Sequence, residues 1–482
     1  MLIIMKKYSR LIFHLVIVIM LAPKFVKSAE TPELGDPYSQ ALSLKTEKII
    51  GLSSYKRLQN YNQINNNPLV SSYISYLGNK LSRNIMDDNR KYTFFIVNSE
   101  QVNAFAIPGG FIGINSGLII LTENEAQLAG VVAHEISHVK LRHSAEMIAN
   151  SSMNSIPMWI GIMAGIFAGN AESSMAAMRL GIGQSAQKNI NLIRENEIEA
   201  DDYGIEIMTR SNYDLKEMAN LFKNMGQATG DIQRELSYLS THPMYENRIS
   251  HIQNKSKLQN KPIKNSTKDY FYIKTILEVE TTSDINSSLK SIPRDNALNL
   301  YKRSLLYYKK SDYIKSEKEI SIAYSVSPNN IYIAILYAKA LAQQNKLEES
   351  LNVLNKIKNI YPHNSIISFI MSEILIENNY KLDYAEKLMK MHKDYFALNP
   401  NFLRLISKLY TLKNNKYESA LYLSDYYVLL NDIDLAVEVL NNSIRSSNIN
   451  STQKKILASK KDRIICENPR RLQPIFSEKD CY

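Results

Sequence analysis

Val131-Val132-Ala133-His134-Glu135-Ile136-Ser137-His138-Val139 is the stretch that decides how the chain reads. Two histidines four residues apart fall on one helix face, one turn above the other, so both imidazoles can reach one ion. Glu135 projects beside them and can act as general base toward a water polarised by that ion. Two ordinary helical histidines would fit the same spacing. The apolar flanks, however, place two imidazoles and a carboxylate on a semi-buried helix, where they are costly without a compensating partner. A metal is therefore expected. Catalytic zinc takes three protein ligands and keeps one position open. The densest acidic cluster downstream is Arg194-Glu195-Asn196-Glu197-Ile198-Glu199-Ala200-Asp201-Asp202. Helical spacing aligns Glu197 with Asp201, so one can ligate while the other orients a ligand histidine. Taken alone, the cluster also reads as a solvated helix face.

Around this stretch the period of the apolar residues changes. Residues 36–90 carry helical spacing, as in Ile74, Leu77, Leu81 and Ile85. Tyr92–Val97 is β-rich, and Asn103–Ile107, Pro108-Gly109-Gly110 and Phe111–Asn115 read as strand, turn and strand. A long helix is expected over Glu123–Arg142, with Thr122 and Glu125 as a capping box and Leu128, Val131, Val132 and Ile136 as its apolar face. Residues 156–169 are apolar all round and hold the single tryptophan, Trp159. Their length suits a buried or interfacial helix, against protein or against lipid, and not a membrane span.

Farther along, the chain repeats. Pro328 and Pro362 are 34 residues apart, Pro400 follows after 38, and Ser311, Asn345 and Asn379 are spaced by 34. Helix–turn–helix units at that period are the tetratricopeptide signature, and such units stack into a superhelix that binds peptides or proteins. The pattern weakens after Pro400, although Leu423–Ile444 still reads as a helix pair around Asn431-Asp432.

The ends carry signals of location. Met1–Arg10 is basic, Leu11–Pro23 is an apolar core of signal-peptide length, and cleavage is expected after Ser28. An uncleaved anchor is the other reading. Lys6, Lys7, Arg10, Lys24 and Lys27 supply five of the eleven net positive charges. What remains is small for so long a chain, and no nucleic-acid motif accompanies it, so a nucleic-acid partner is not expected. With 45% hydrophobic and 22% charged residues the chain is globular, not disordered. Cys466 and Cys481 can close one loop in an oxidising compartment or stay free thiols. The expected boundaries are a signal peptide over 1–28, a peptidase domain over 29–262, a linker over 263–296, repeats over 297–447 and a tail over 448–482.

Four motifs in order make residues 95–252 resemble the gluzincin metallopeptidases of the HtpX and CAAX prenyl protease type. They are Asn103–Gly110, His134–His138, Glu197–Asp201, and Thr241-His242-Pro243 with Arg248. Those relatives sit in membranes, whereas this chain lacks their membrane helices. An export signal, this domain and C-terminal repeats together are similar to the periplasmic branch of the family. The resemblance implies an α+β zincin-like domain, mostly helical with a small sheet, followed by an all-α tetratricopeptide superhelix. It implies one zinc per chain on His134, His138 and Glu197, with Glu135 as base, Asp201 as support of a ligand and Arg248 as support of the site. His242 would stabilise the oxyanion or fill the open zinc position in a latent state. The strand Phe111–Asn115 would offer its edge to an extended substrate. The implied function is an envelope endopeptidase that clears unfolded or misassembled outer-membrane proteins, its repeats docking on the assembly machinery, with possible peripheral membrane contact. The alternative is a chaperone or adaptor whose proteolysis is latent or minor.

Overall fold

A computed structural model describes residues 38, 42–85, 90–150, 186–227, 238–243, 246–259 and 266–468. The expected signal peptide, the apolar segment 156–169 and Cys481 lie outside the described residues. No helix among the described residues is long and apolar enough to cross a membrane.

The first half is built on a three-stranded sheet backed by helices. Helices α1 (Leu44–Asn60) and α2 (Pro68–Ser82) lead into β1 (Thr93–Val97), β2 (Ala104–Ile107) and β3 (Phe111–Asn115). The strand order is β1-β3-β2, with β1 parallel and β2 antiparallel to β3. Between β2 and β3 the chain reverses through Gly109 and Gly110, whose φ of +84° and +87° side chains rarely adopt. A Cβ on Gly109 would also meet the Glu47 carbonyl at 2.6 Å, so α1 packs directly on the turn. All five residues of β3 are buried and it has a neighbour on each side. The expectation that Phe111–Asn115 offers its edge to a substrate is thus corrected: β3 is central, and β1 and β2 are the outer strands.

Next come α3 (Ser116–Leu121), α4 (Glu125–Lys140), α5 (His143–Asn150), α6 (Ala186–Arg210), α7 (Leu215–Gln227), α8 (Tyr238–Thr241) and α9 (Glu246–Ser256). Helix α4 carries the two histidines and lies between β2, α6 and α7. The capping box at Thr122 does not form. Thr122 ends the short α3, and Asn124 caps α4 by accepting from the Gln127 N–H. Glu125, in the first turn, is buried and accepts from the hydroxyls of Tyr73 (3.1 Å), Tyr213 (2.5 Å) and Thr267. A carboxylate there suits the positive end of the helix dipole, and its three donors tie α4 to the segments around it.

The linker expected over 263–296 is instead two helices, α10 (Lys268–Thr281) and α11 (Ile285–Ser291). Tyr270, Ile273, Ile276 and Leu277 recur at helical spacing and are buried against α2, α3 and α12 (Ala297–Lys309). The interleaved Lys, Glu and Thr residues hide that stripe from a reading of polarity. The repeats follow as α13 (Tyr313–Val326), α14 (Ile331–Ala342), α15 (Leu347–Ile360), α16 (Ser365–Glu377), α17 (Leu382–Met391), α18 (Pro400–Leu412), α19 (Lys416–Leu429) and α20 (Ile433–Ile444). Ser311, Asn345, Asn379, Asn414 and Asn431 all have positive φ, the left-handed residue that ends a helix and turns the chain into its partner. Small residues let the paired helices cross closely. Ser304 bonds Ser316 at 2.9 Å, the Ser350 hydroxyl donates to the Ala338 carbonyl at 2.8 Å, and Ser407 bonds Ser419 at 3.1 Å. The expected tail also contains a helix, α21 (Ser451–Glu467), with Leu457 and Ile464 buried two turns apart.

The halves share their cores. One cluster runs from Val70 through α4 to Tyr332 and Leu336, and another joins Tyr55, Phe95, Phe105 and Phe111 to α14–α18. Tyr55 donates to the Leu398 carbonyl at 3.1 Å, and Tyr395 bonds Ser72 at 2.9 Å. Ile273 is fully buried at the junction. Ile273→Ala is expected to cost about 2–5 kcal/mol in denaturant unfolding, as a core truncation does; a residue in a solvated linker would change stability by no more than about 0.5 kcal/mol.

Candidate metal centre

The centre is assembled from three helices and a turn. Helix α4 supplies His134, Glu135 and His138. Helix α6, packed along α4 with Gly204 against the Ala133–His134 backbone, supplies Glu197 and Asp201 one turn apart. The turn after α8 supplies His242, and α9 supplies Arg248. All the residues expected at the site are brought together.

Donor atoms of His134, His138, Glu197 and His242 lie within 4.8 Å of one another. His134 Nε2 is 3.0 Å from His138 Nε2, 3.3 Å from His242 Nδ1 and 3.3 Å from Glu197 Oε2. Glu197 Oε1 is 3.0 Å from His242 Nδ1 and 3.4 Å from His138 Nε2. Zinc with arms of about 2.0–2.1 Å gives a tetrahedron with edges of roughly 3.3–3.4 Å, so the set has the size of a four-coordinate site. The charge fits as well. Glu135, Glu197 and Asp201 are buried carboxyl groups with one guanidinium, Arg248, among them. Once the histidines are neutral, as ligation requires, this excess of acid over base is one that a divalent cation would offset.

Arg248 holds the acidic side of the centre. Its Nε and Nη2 reach the two Asp201 oxygens at 2.6 and 2.8 Å, and its Nη1 lies 2.8 Å from Glu197 Oε2 and from the Pro243 carbonyl. Such a two-pronged contact fixes orientation as well as charge. Asp201 Oδ1 in turn lies 3.0 Å from His134 Nδ1, a close but bent approach. Burial works against a charged His134, but contacts with Asp201 and Glu197 prevail and lift its pKa to about 9. Burial would likewise raise Glu197, yet His242 and the bonds from His134 and His138 hold its carboxyl well below the usual range. Burial lowers the pKa of His138.

Glu135 sits beside this set without joining it. It is fully buried, neither of its oxygens accepts a hydrogen bond from a described residue, and Oε1 is 3.3 Å from His242 Nε2. His242 thus faces the donor set through Nδ1 and Glu135 through Nε2. Its ring stacks on Tyr238, centroids 4.6 Å apart, and its N–H donates to the Tyr238 carbonyl at 2.8 Å.

Two residues at the centre are not evident in the sequence. Tyr238 is one. The other is His143, whose Nδ1 is 2.8 Å from His138 Nδ1. Burial and the neighbouring His138 push its pKa down to about 3. His143 lies five positions after His138, a spacing that places them on different faces of a continuous helix. Only the break at Arg142, with φ of 58°, turns His143 back toward His138.

Residues 68–256 match the model of Peptidase family M48. The chain is 26% identical over 446 residues to the "Beta-barrel assembly-enhancing protease" of Escherichia coli, covering 90% of this chain and 91% of that one. The Yersinia pestis protein of the same name is 27% identical over 325 residues, covering 65% of this chain and 67% of the other. The "Mitochondrial metalloendopeptidase OMA1" of Schizosaccharomyces pombe is 27% identical over 235 residues, covering 48% and 66%. The resemblance carried by the four sequence motifs agrees with these matches.

Replacing Arg248 by methionine leaves Asp201 and Glu197 buried without their guanidinium. The expected outcome is a loss of about 3–5 kcal/mol in the unfolding free energy of the metal-free protein; a loss under about 1 kcal/mol, the worth of an exposed pair, would contradict the clamp.

Proposed function

We propose that the protein, whose residues 68–256 match the model of Peptidase family M48, is a zinc-dependent endopeptidase of the cell envelope serving quality control of outer-membrane protein assembly. The observation that carries the reading is the convergence of His134, His138, Glu197 and His242 on one point, with the buried Glu135 carboxylate beside them. His134, His138 and Glu197 hold one zinc per chain. When bound, zinc supplies a Lewis acid that polarises the scissile carbonyl and the attacking water. Glu135 takes the proton of that water and delivers it to the departing amide nitrogen, a role open to a carboxylate that is not a ligand. Asp201 keeps the proton of His134 on Nδ1, which leaves Nε2 free to ligate. Arg248 keeps Asp201 ionised and holds both Asp201 and Glu197 in place.

His242 is the point at which a resting and a working enzyme differ. With Nδ1 in the donor set it would serve as a fourth ligand and close the site, as the ligands of structural zinc do. Moved out with its turn, it can donate to the oxyanion instead. The closed arrangement also favours a second reading, a chaperone or adaptor whose proteolysis is latent or minor.

Location rests on the N-terminal segment, and partners on the repeats and the likeness to a relative. The basic and apolar segment over 1–28 is an export signal, which places the protein in the periplasm, and residues 156–169 are the candidate for peripheral membrane contact. The Escherichia coli relative is named for β-barrel assembly. By that likeness the repeats of this chain hold unfolded or misassembled outer-membrane proteins, or dock on the machinery that assembles them. The core shared by repeats and peptidase supports joint recognition and cleavage.

Metal analysis of the purified protein is expected to find one zinc per chain, and His138→Ala to hold it far more weakly, since the change removes one of the two helix ligands and leaves His134, Glu197 and the movable His242. Glu135→Gln is expected to keep the zinc and lose casein cleavage; normal turnover in that variant would overturn the mechanism.

His242→Ala separates the two roles of His242 by sign. A blocking His242 predicts faster basal proteolysis, whereas one that only stabilises the oxyanion predicts turnover lowered about 100-fold or more.

A further inference from the structure

We propose that His143 is a positioning residue for the metal ligand His138, the middle of a hydrogen-bonded relay running from Glu199 to the ion. The inference rests on the zinc reading above and extends it to residues outside the donor set.

A histidine that binds a metal through Nε2 does so with its proton on Nδ1, and the partner of that proton sets the tautomer and the ring angle. His138 offers Nε2 to the donor set, so its Nδ1–H points away and needs an acceptor. Among the described residues that acceptor is His143 Nδ1, at 2.8 Å. An imidazole nitrogen accepts only when the ring's proton sits on the other nitrogen. His143 must therefore carry its proton on Nε2, and this atom meets Glu199 Oε2 at 3.4 Å. The carboxylate sets the tautomer of His143, and His143 sets that of His138. With the opposite tautomer, His143 would turn an N–H toward His138 Nδ1. Either two donors would then face each other, or His138 would move its proton to Nε2 and cease to be a ligand. His134 receives the same service from Asp201 directly.

The backbone is arranged to put His143 there. Helix α4 stops at Lys140, and Arg142 takes a left-handed φ of 58°, uncommon outside glycine. That turn is clamped from α1. Arg142 Nε is 3.0 Å and Nη2 2.9 Å from Glu47 Oε1, and Nη2 also donates to the Leu42 carbonyl. His143 is left 3% exposed at the first position of α5, its ring edge-on to that of His138.

The test is zinc affinity of the full chain by competition with a chelator, with the visible spectrum of the cobalt-substituted protein as a report on ligand geometry. His143→Leu keeps the bulk but removes the acceptor, and it is expected to weaken zinc by about 10–100-fold and to change the cobalt spectrum. His143→Gln, whose side-chain carbonyl can accept from His138, is expected to recover most of the affinity. Glu199→Ala alters a side chain that is 63% exposed, so it is expected to weaken zinc while leaving the unfolding of the metal-free protein unchanged. Three outcomes overturn the relay: unchanged zinc affinity in His143→Leu, equal losses in the glutamine and leucine variants, or no effect of Glu199→Ala. Should the leucine variant not fold, the other two decide. His134→Ala serves as the control for the metal site itself. If it binds zinc as the unsubstituted protein does, the zinc reading fails; if it does not, a negative result at His143 and Glu199 counts against the relay alone.

Discussion

The contact between Arg248 and the two carboxylates of α6 is the one on which the rest of the centre depends. Glu197 and Asp201 are buried, and a buried carboxylate is tolerated only when it is paired and hydrogen-bonded. One guanidinium serves both, at 2.6 and 2.8 Å to Asp201 and 2.8 Å to Glu197. That single cation lets α6 present two acidic groups to α4 in the apolar interior. Asp201 then orients His134, and Glu197 enters the donor set. Without the arginine, burial would drive Asp201 toward its neutral form, which could no longer orient His134 as a carboxylate, and Glu197 would lose the partner that fixes its place. The same contact anchors α9 to α6 and, through the Pro243 carbonyl, steadies the turn that carries His242.

The packing of the repeats is the second constraint. The repeat helices are not an appendage, because Tyr332 and Leu336 belong to the core that surrounds α4, and Phe105 and Phe111 of the sheet belong to the core of α14–α18. Helix α10 is the mortar between them. Thr267, at its start, donates to Glu125 in the first turn of the histidine helix, and Tyr270 donates to the Thr122 carbonyl at 2.6 Å. Through α10 the repeats are thus tied to the N-terminus of α4, about two and a half turns from His134 and three and a half from His138.

The features legible in the sequence are those whose cause is local. His134 and His138 share a helix face because they are four apart, and Glu197 and Asp201 do so for the same reason. Ser311, Asn345 and Asn379 mark the turns between helices because a left-handed residue is needed there and asparagine accepts it readily. Pro108-Gly109-Gly110 reads as a turn because two successive positive φ values call for glycine. Features set by distant contacts read poorly. Helix α10 looks like a polar connection because its buried stripe of Tyr270, Ile273 and Leu277 is interleaved with charge. Helix α21 looks like a tail because Leu457 and Ile464 are its only buried residues. Thr122 followed by Glu125 matches a capping box, but the shorter α3 ends at Thr122, and Asn124 takes the cap.

By itself, then, the sequence determined the chemistry: two imidazoles and a carboxylate on one helix, two further acids on another, and helical repeats at a period of 34. Side-chain spacing within one helix is set by its 3.6-residue turn, and no partner is needed to read it. Tertiary structure alone decided how that chemistry is held. It placed His242 as a fourth donor across 108 residues of chain from His134, and set Arg248 between two acids. It made β3 central where an edge was expected, and turned His143 onto His138 through a left-handed Arg142 clamped by Glu47. Each of these depends on which surfaces meet when the apolar faces are buried together, and that is a property of the packed chain, not of any one segment.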